Sequence, residues 1–495
     1  MDNKSVLFPG FHRAGLGRKP ASEAAKLAKQ VRLLDAMSLA HLSALIGHAL
    51  PDSLTQWKPL KGANSRARVF TPMLCFWAFL SQVLDVEGSC RRALARVQAL
   101  VAGKGLPAIS DDTGAYCKAR LRLPIRLLYQ VLHHVTDLLQ RTCGQFGDTA
   151  RWLVFDGTSL TLQDTDENRA VYPYPSGQSE GCGFPVMKML GLFDLTSGAC
   201  LKIARATAAN PNAHDAILAE RVMCCVRPGD TVVADRAFCS YKLLSLLVAK
   251  GAHAIMRLHQ ARAKVLARSG SQQRDEVQTW TRPKASKGQT KAQHEALPAT
   301  LRVRIITRQI ERRGWRAKPM HFVTTLLDAK LFPAEQIVAG YGRRWNVELF
   351  FDDLKTSQKA AMLRTKSPPM VARELLMHLI VYNLVRLLMA QAEPKRAAED
   401  QGRLSHRGTL DRVSTWHPAL WGSSSVKRAD EAKQRLLELI AKDPVIPRPG
   451  RREPRVIKKR PKNFPLMTKP RKLLRTIPEE KRSTHRADKI PAVAA

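Results

Sequence analysis
Apolar residues in the first 140 positions recur every three to four residues. That spacing predicts helices over 21–50 (closed by Pro51), over 72–102 (broken near Gly88) and over 112–139. Near residue 150 the period shortens. The apolar run WLVF, 152–155, ends in Asp156-Gly157-Thr158, as a strand delivering an Asp at its end would. Residues 185–207 read as two strands joined at Thr196-Ser197-Gly198. A helix over 214–226, a strand TVVA leading into Asp235, a helix over 240–250 and a strand over 251–258 follow. Strands, a hairpin and then alternating helix and strand predict a mixed α/β sheet, and acids at two strand ends suggest a ribonuclease-H-like core.

Beyond residue 260 the pattern changes again. A polar stretch precedes two β-like runs, LRVRIITRQIE and MHFVTTLLD, so about 260–327 reads as a β-rich insertion, with a mobile loop over 283–295. A long apolar helix over 371–392 carries His378, Asn383 and Arg386 in its most apolar part, which suits a buried core helix better than a membrane span. From Arg448 the chain turns basic, and Pro447, Pro449, Pro454, Pro461, Pro465 and Pro470 leave only an extended tail. The expected organisation is a helical N-terminal DNA-binding domain over 1–140, a catalytic domain over 148–392, and a C-terminal helical region with a basic Pro-rich tail over 393–495.

Charge narrows the partner. Lys and Arg number 81 against 42 Asp and Glu, a net +39 over 495 residues. An excess of that size calls for a polyanion, nucleic acid before an anionic membrane. The nine cysteines contain no C-x-x-C, which excludes a zinc framework of that type and suits a reducing cytoplasm. Residues 1–15 contain no apolar run of the kind a signal peptide needs, so a cytoplasmic, nucleoid-associated protein is expected.

The chemistry centres on YGRRWNVELFFDDLK, residues 341–355. On a wheel of about 100° per residue, Tyr341, Arg344, Glu348 and Lys355 share an arc of about 60°. Val347, Phe350 and Leu354 fall on the other side, where they can dock onto a core. The spacing Y-x2-R-x3-E-x6-K resembles that of the insertion-sequence-4 family of bacterial DDE transposases. The resemblance implies that Glu348 is a third catalytic carboxylate and that Tyr341, Arg344 and Lys355 approach DNA phosphates. It extends to V-V-A-D-R-A-F around Asp235, to residues 110–124 ahead of the catalytic domain, and to the tail R-P-G-R-x-E-P-R-x-x-K-x-R-P-K. It further implies binding of terminal inverted repeats, a homodimer on DNA, and cleavage followed by joining to target DNA, by way of a hairpin in better-known relatives.

The candidate catalytic and metal-binding set is therefore Asp156, Asp235 and Glu348. Mg²⁺ takes few carboxylates together with waters and phosphate oxygens, and two such ions, with Mn²⁺ able to substitute, suit an in-line displacement at phosphorus. Around them Arg344 can fork onto a phosphate and Lys355 supplies a point charge. Arg236, Trp280 (as a base-stacking ring) and the tail residues Arg455, Lys458, Lys459 and Arg460 complete the expected DNA contacts. Trp345 is read as a packing residue near the site. Two rivals fit part of this pattern: a metal-dependent nuclease that cuts without joining, and a DNA-binding protein without catalysis.

Overall fold
The computed structural model describes residues 23–46, 69–85, 87–145, 150–175, 181–208, 215–268, 273–285, 289–310, 318–397, 404–422 and 426–445, with single positions at 402, 470 and 473. The chain divides into two compact units, 1–130 with 414–436 and 131–413 with 437–495. The division at 130 comes earlier than the expected 140, and 414–436 groups with the N-terminal residues.

The first unit is helical, as the 3.6-residue period predicted, with helices Glu23–Ile46, Pro72–Leu84, Cys90–Gly103 and Gly114–Arg122. Pro72 opens its helix where a missing N–H costs nothing, and the Thr71 side chain caps the Leu74 amide. The residues from Leu74 to Leu84 are all buried, so this is the central helix of the unit. The break at Gly88 is steric: a Cβ there would lie 1.8 Å from the Gln82 carbonyl oxygen.

The second unit is built on one mixed sheet of eight strands: β1 Trp152–Thr161, β2 Val186–Asp194, β3 Cys200–Thr207, β4 Thr231–Ala234, β5 His253–Arg257, β6 Arg274–Thr281, β7 Thr300–Ile310 and β8 Lys318–Thr324. Their order is β3-β2-β1-β4-β5-β8-β7-β6. β1, β4 and β5 are mutually parallel, and every other neighbour is antiparallel. This α/β arrangement, flanked by helices, is consistent with a ribonuclease-H-like core. The β2–β3 turn closes with Gly198 at φ +71°, a conformation that favours glycine.

Three sequence expectations change. β1 does not end at Phe155. It pairs with β2 residue for residue from Leu153↔Asp194 to Thr161↔Val186, and this ladder carries it through the turn-like Asp-Gly-Thr. The β-rich segment extends the main sheet, because β8 pairs with β5. Its first strand, β6, falls in the polar stretch ahead of the two runs read as β-like. Finally, the supposed loop over 283–295 contains the helix Lys291–Glu295, opened by a reciprocal Thr290–Gln293 capping box.

The helix Pro368–Ala392 is long and apolar enough to cross a membrane, but it is buried inside the fold. Its polar residues are met there. Asn383 Nδ2 donates to Thr136 Oγ1 at 2.8 Å and to the Cys200 carbonyl at 3.0 Å, while its Oδ1 accepts from the Cys200 amide at 2.9 Å. Burial holds the His378 imidazole down to about 4, with Arg364 acting in the same sense, so it stays neutral in the core.

Candidate active site
The site begins with the register of β1 against β4. Arg151 and Asp230 stand at the entrances of the two strands and form a buried pair, Nη2–Oδ2 at 2.6 Å and Nε–Oδ1 at 3.1 Å. The Arg151 amide also donates to Asp230 Oδ1. The strands then run side by side, Trp152↔Thr231 to Val154↔Val233. Continued two residues further, that register sets Asp156 beside Asp235, one strand spacing of about 4.8 Å away. Behind the two acids the rings of Phe155 and Phe238 meet edge to face at 4.6 Å. Asp235 itself follows β4 and caps a short 3₁₀ turn, accepting from the Ala237 amide at 2.7 Å.

The third acid arrives on a helical segment of three parts. Ala334–Gly342 is α-helical, Arg343–Trp345 is a 3₁₀ turn, Asn346–Asp352 is α-helical again, and Asp353–Ser357 is a π turn. The single ideal helix assumed on the wheel is thus tightened once and widened once. Its packing face is as expected, with Val347, Phe350 and Leu354 buried. Phe350 and Phe351 both lie against Phe193, at 5.4 and 5.3 Å between centroids. Arg344 joins the segment to β1, donating to Asp156 Oδ2 at 3.3 Å and to Glu348 Oε1 at 3.1 Å.

Charge at the site is unbalanced enough to matter. Burial raises the proton affinity of Asp156. The Gly157 amide and the Arg344 guanidinium oppose that, and the neighbouring charges of Asp235 and Glu348 add to it. Both of the other carboxylates therefore act electrostatically on Asp156. Among the described residues no three acidic, His or Cys side chains stand close enough to enclose a metal ion. In kind, however, the donors fit a hard divalent cation. They are carboxylates on three separate elements, two of them already bridged by a cation of the chain's own.

The other expected contacts divide. Lys355 donates to Thr158 Oγ1 at 3.1 Å, not to an acid. Tyr341 departs from the polar face the wheel gave it. Its ring is buried edge-on against Phe322 at 5.0 Å, because the 3₁₀ turn after it breaks the 100° step. Burial pushes its hydroxyl up to about 12, and the positive charge of the nearby Arg344 opposes the rise. Arg236 is exposed on the turn after Asp235. Trp280 is a packed residue, only 6% exposed, with the Arg262 guanidinium 4.0 Å from its ring centre, so that face is not open for stacking on a base. Trp345, expected to pack, is 58% exposed. Arg455, Lys458, Lys459 and Arg460 lie outside the described residues.

Two contributors escaped sequence reasoning. Thr158 lies two residues after Asp156 in the D-G-T run, which was the one available hint. Asp353 pairs with Arg386 of the helix Pro368–Ala392 at 2.6 Å and ties the acid-bearing segment to the core, with nothing in the sequence to link the two.

An Asp within one strand, an Asp at the end of its parallel neighbour and a Glu on a later helix are the arrangement of a DDE enzyme. A family model described as the transposase DDE domain matches residues 148–384, a span that takes in all three acids. The chain is also 27% identical over 406 residues to the transposase InsG of insertion sequence element IS4 from Escherichia coli strain K12, covering 79% of this chain and 86% of that one. Residues 148–384 thus carry a transposase DDE domain, and the chain is similar over most of its length to the transposase of an insertion sequence 4 element.

Proposed function
We propose that this chain binds the terminal inverted repeats of an insertion sequence, cuts DNA strands at the element ends and joins the freed ends to target DNA, acting as a homodimer on DNA. The observation that carries the reading is the Asp156–Arg344–Glu348 junction, which draws together β1 and a helix 188 positions away beside Asp235. Asp156, Asp235 and Glu348 are the residues that hold the divalent metal, Mg²⁺ or Mn²⁺. When bound as a pair of ions, the metal supplies Lewis-acid stabilisation of charge at the phosphorus centre.

The chain's own residues do the positioning. Arg344 presents a two-pronged guanidinium suited to a phosphate, held by Asp156 and Glu348, with the Tyr341 hydroxyl near it. Lys355 adds a compact positive charge, and the exposed Arg236 a second guanidinium next to Asp235. The helical N-terminal region, to about 140, recognises the element ends, and the basic stretch with Arg455, Lys458, Lys459 and Arg460 tracks the phosphate backbone.

The test is Mg²⁺-dependent cleavage and strand transfer on the element's own terminal repeats, comparing wild type with Glu348→Gln. Both reactions should vanish in the variant while DNA binding persists. Wild-type protein that binds the repeats but never cuts, with Mg²⁺ or Mn²⁺, would sink the catalytic assignment. Cutting without joining would mark a nuclease on the same fold.

A further inference from the structure
The geometry points to Thr158 as the residue that positions Lys355 for its DNA phosphate. The inference rests on the transposase reading above and adds a residue outside the Tyr-Arg-Glu-Lys set. Thr158 lies two residues after Asp156 on β1, so the two side chains leave the same face of the sheet. Its hydroxyl accepts a hydrogen bond from Lys355 Nζ at 3.1 Å.

The backbone of Lys355 is tied to the same strand by a second path. The Lys355 carbonyl accepts from the Ala361 amide at 3.2 Å, and the Ala361 carbonyl accepts from the Thr161 amide at 2.9 Å. Main chain and ammonium are thus both referred to β1, the strand that carries the first acid. This matters because a lysine has a long flexible stem carrying about 2 kcal/mol of rotamer entropy. Left free, that stem would be ordered only when DNA arrives, at the expense of binding. Held by Thr158, the ammonium is already aimed. The threonine oxygen accepts from Lys355 and keeps its own O–H to donate, so hydroxyl and ammonium together offer a phosphate two donors.

The experiment uses full-length protein with Thr158→Val, which keeps the shape and removes the hydroxyl, and Thr158→Ser, which keeps the hydroxyl. The first readout is acylation of Lys355 by a small amine-reactive reagent without DNA, followed by mass spectrometry. Lys355 should label several-fold faster in the Val variant and at the wild-type rate in the Ser variant. The second readout is the rate of element-end cleavage. A hydrogen bond to a charged group is worth about 1.5 kcal/mol, so the Val variant should cut about tenfold more slowly. The Ser variant should recover most of that rate, and Val should cost nothing further on a Lys355→Ala background. Unchanged Lys355 labelling in the Val variant, or losses from Thr158→Val and Lys355→Ala that simply multiply, overturns the proposal. Failure of the transposase reading shows separately, as wild type that does not cut, and the labelling arm then decides the Thr158–Lys355 contact alone.

Discussion

Replacing Asp353 with Asn should change how stability depends on pH. The carboxylate is 20% exposed, pairs with Arg386 at 2.6 Å and has His406 Nδ1 at 3.8 Å from its other oxygen. Burial pushes it up from 3.8 to about 6. Arg386 opposes the rise and Asp352 adds to it. Burial also keeps His406 neutral, its affinity for a proton held well below normal, so it does not titrate in the same window. Because the folded value lies above the unfolded one, the fold binds this proton more tightly than the unfolded chain does. The resulting stabilisation is complete below about pH 4 and is lost as pH rises through about 6. At about 1.4 kcal/mol per tenfold change in proton affinity, a rise from 3.8 to about 6 amounts to about 3 kcal/mol. Asn cannot ionise, yet its Oδ1 can still accept from Arg386. Denaturant unfolding followed by tryptophan fluorescence at pH 4, 5, 6 and 7 should find wild type losing about 3 kcal/mol relative to Asp353→Asn across that range. A difference that stays flat, or that grows in favour of wild type as pH rises, would mean that the Arg386 ion pair outweighs desolvation and that the reasoning is wrong.

Two further substitutions probe how the site is held. Asp230→Ala strands the buried Arg151 guanidinium at the entrance of β1 and should cost about 3–5 kcal/mol in denaturant unfolding; a loss under about 1 kcal/mol would remove that pair from its role in setting the β1–β4 register. Gly340→Ala would set a Cβ 2.3 Å from the Trp152 ring, so overpacking of about 1–3 kcal/mol should exceed the usual gain from alanine in a helix, and a variant melting higher than wild type would contradict it.

Much of this fold was legible because its signals are local. The helices of the first unit and strands β2 to β5 follow from periodicity and turn residues, and Asp235 sits where the apolar run TVVA stops. Polar strands were not legible. Asp156-Gly157-Thr158 looks like a turn, and only pairing with β2, distant in sequence, makes it a strand. β6 is exposed along most of its length, so it shows no alternation to read. The Tyr-Arg-Glu-Lys spacing could be read, but not what each residue touches. The partners Phe322, Asp156 and Thr158 come from other strands, and a wheel cannot register a 3₁₀ or a π turn.

The topology also explains why the acids can be so unevenly spaced along the chain. β8 runs antiparallel to β5, so it leaves the chain at the entrance side of the parallel strands, where Gly340 meets the Trp152 ring. From there the segment travels alongside β1 in β1's own direction. Arg344 bonds Asp156, Lys355 bonds Thr158, and Ala361 bonds Thr161. The lengths agree: from 340 to 361 at about 1.5 Å per residue, and from 152 to 161 at about 3.3 Å per residue, both give about 30 Å. Glu348 is therefore located by its alignment with β1, not by its distance in sequence from Asp235. Strands β6 and β7 can lengthen the excursion between those two acids without moving either, provided that β8 returns the chain to the same edge of β5. The sheet extension and the geometry of the three acids are separable in this way, and the Asp353–Arg386 tie fixes the acid-bearing segment to the helix Pro368–Ala392.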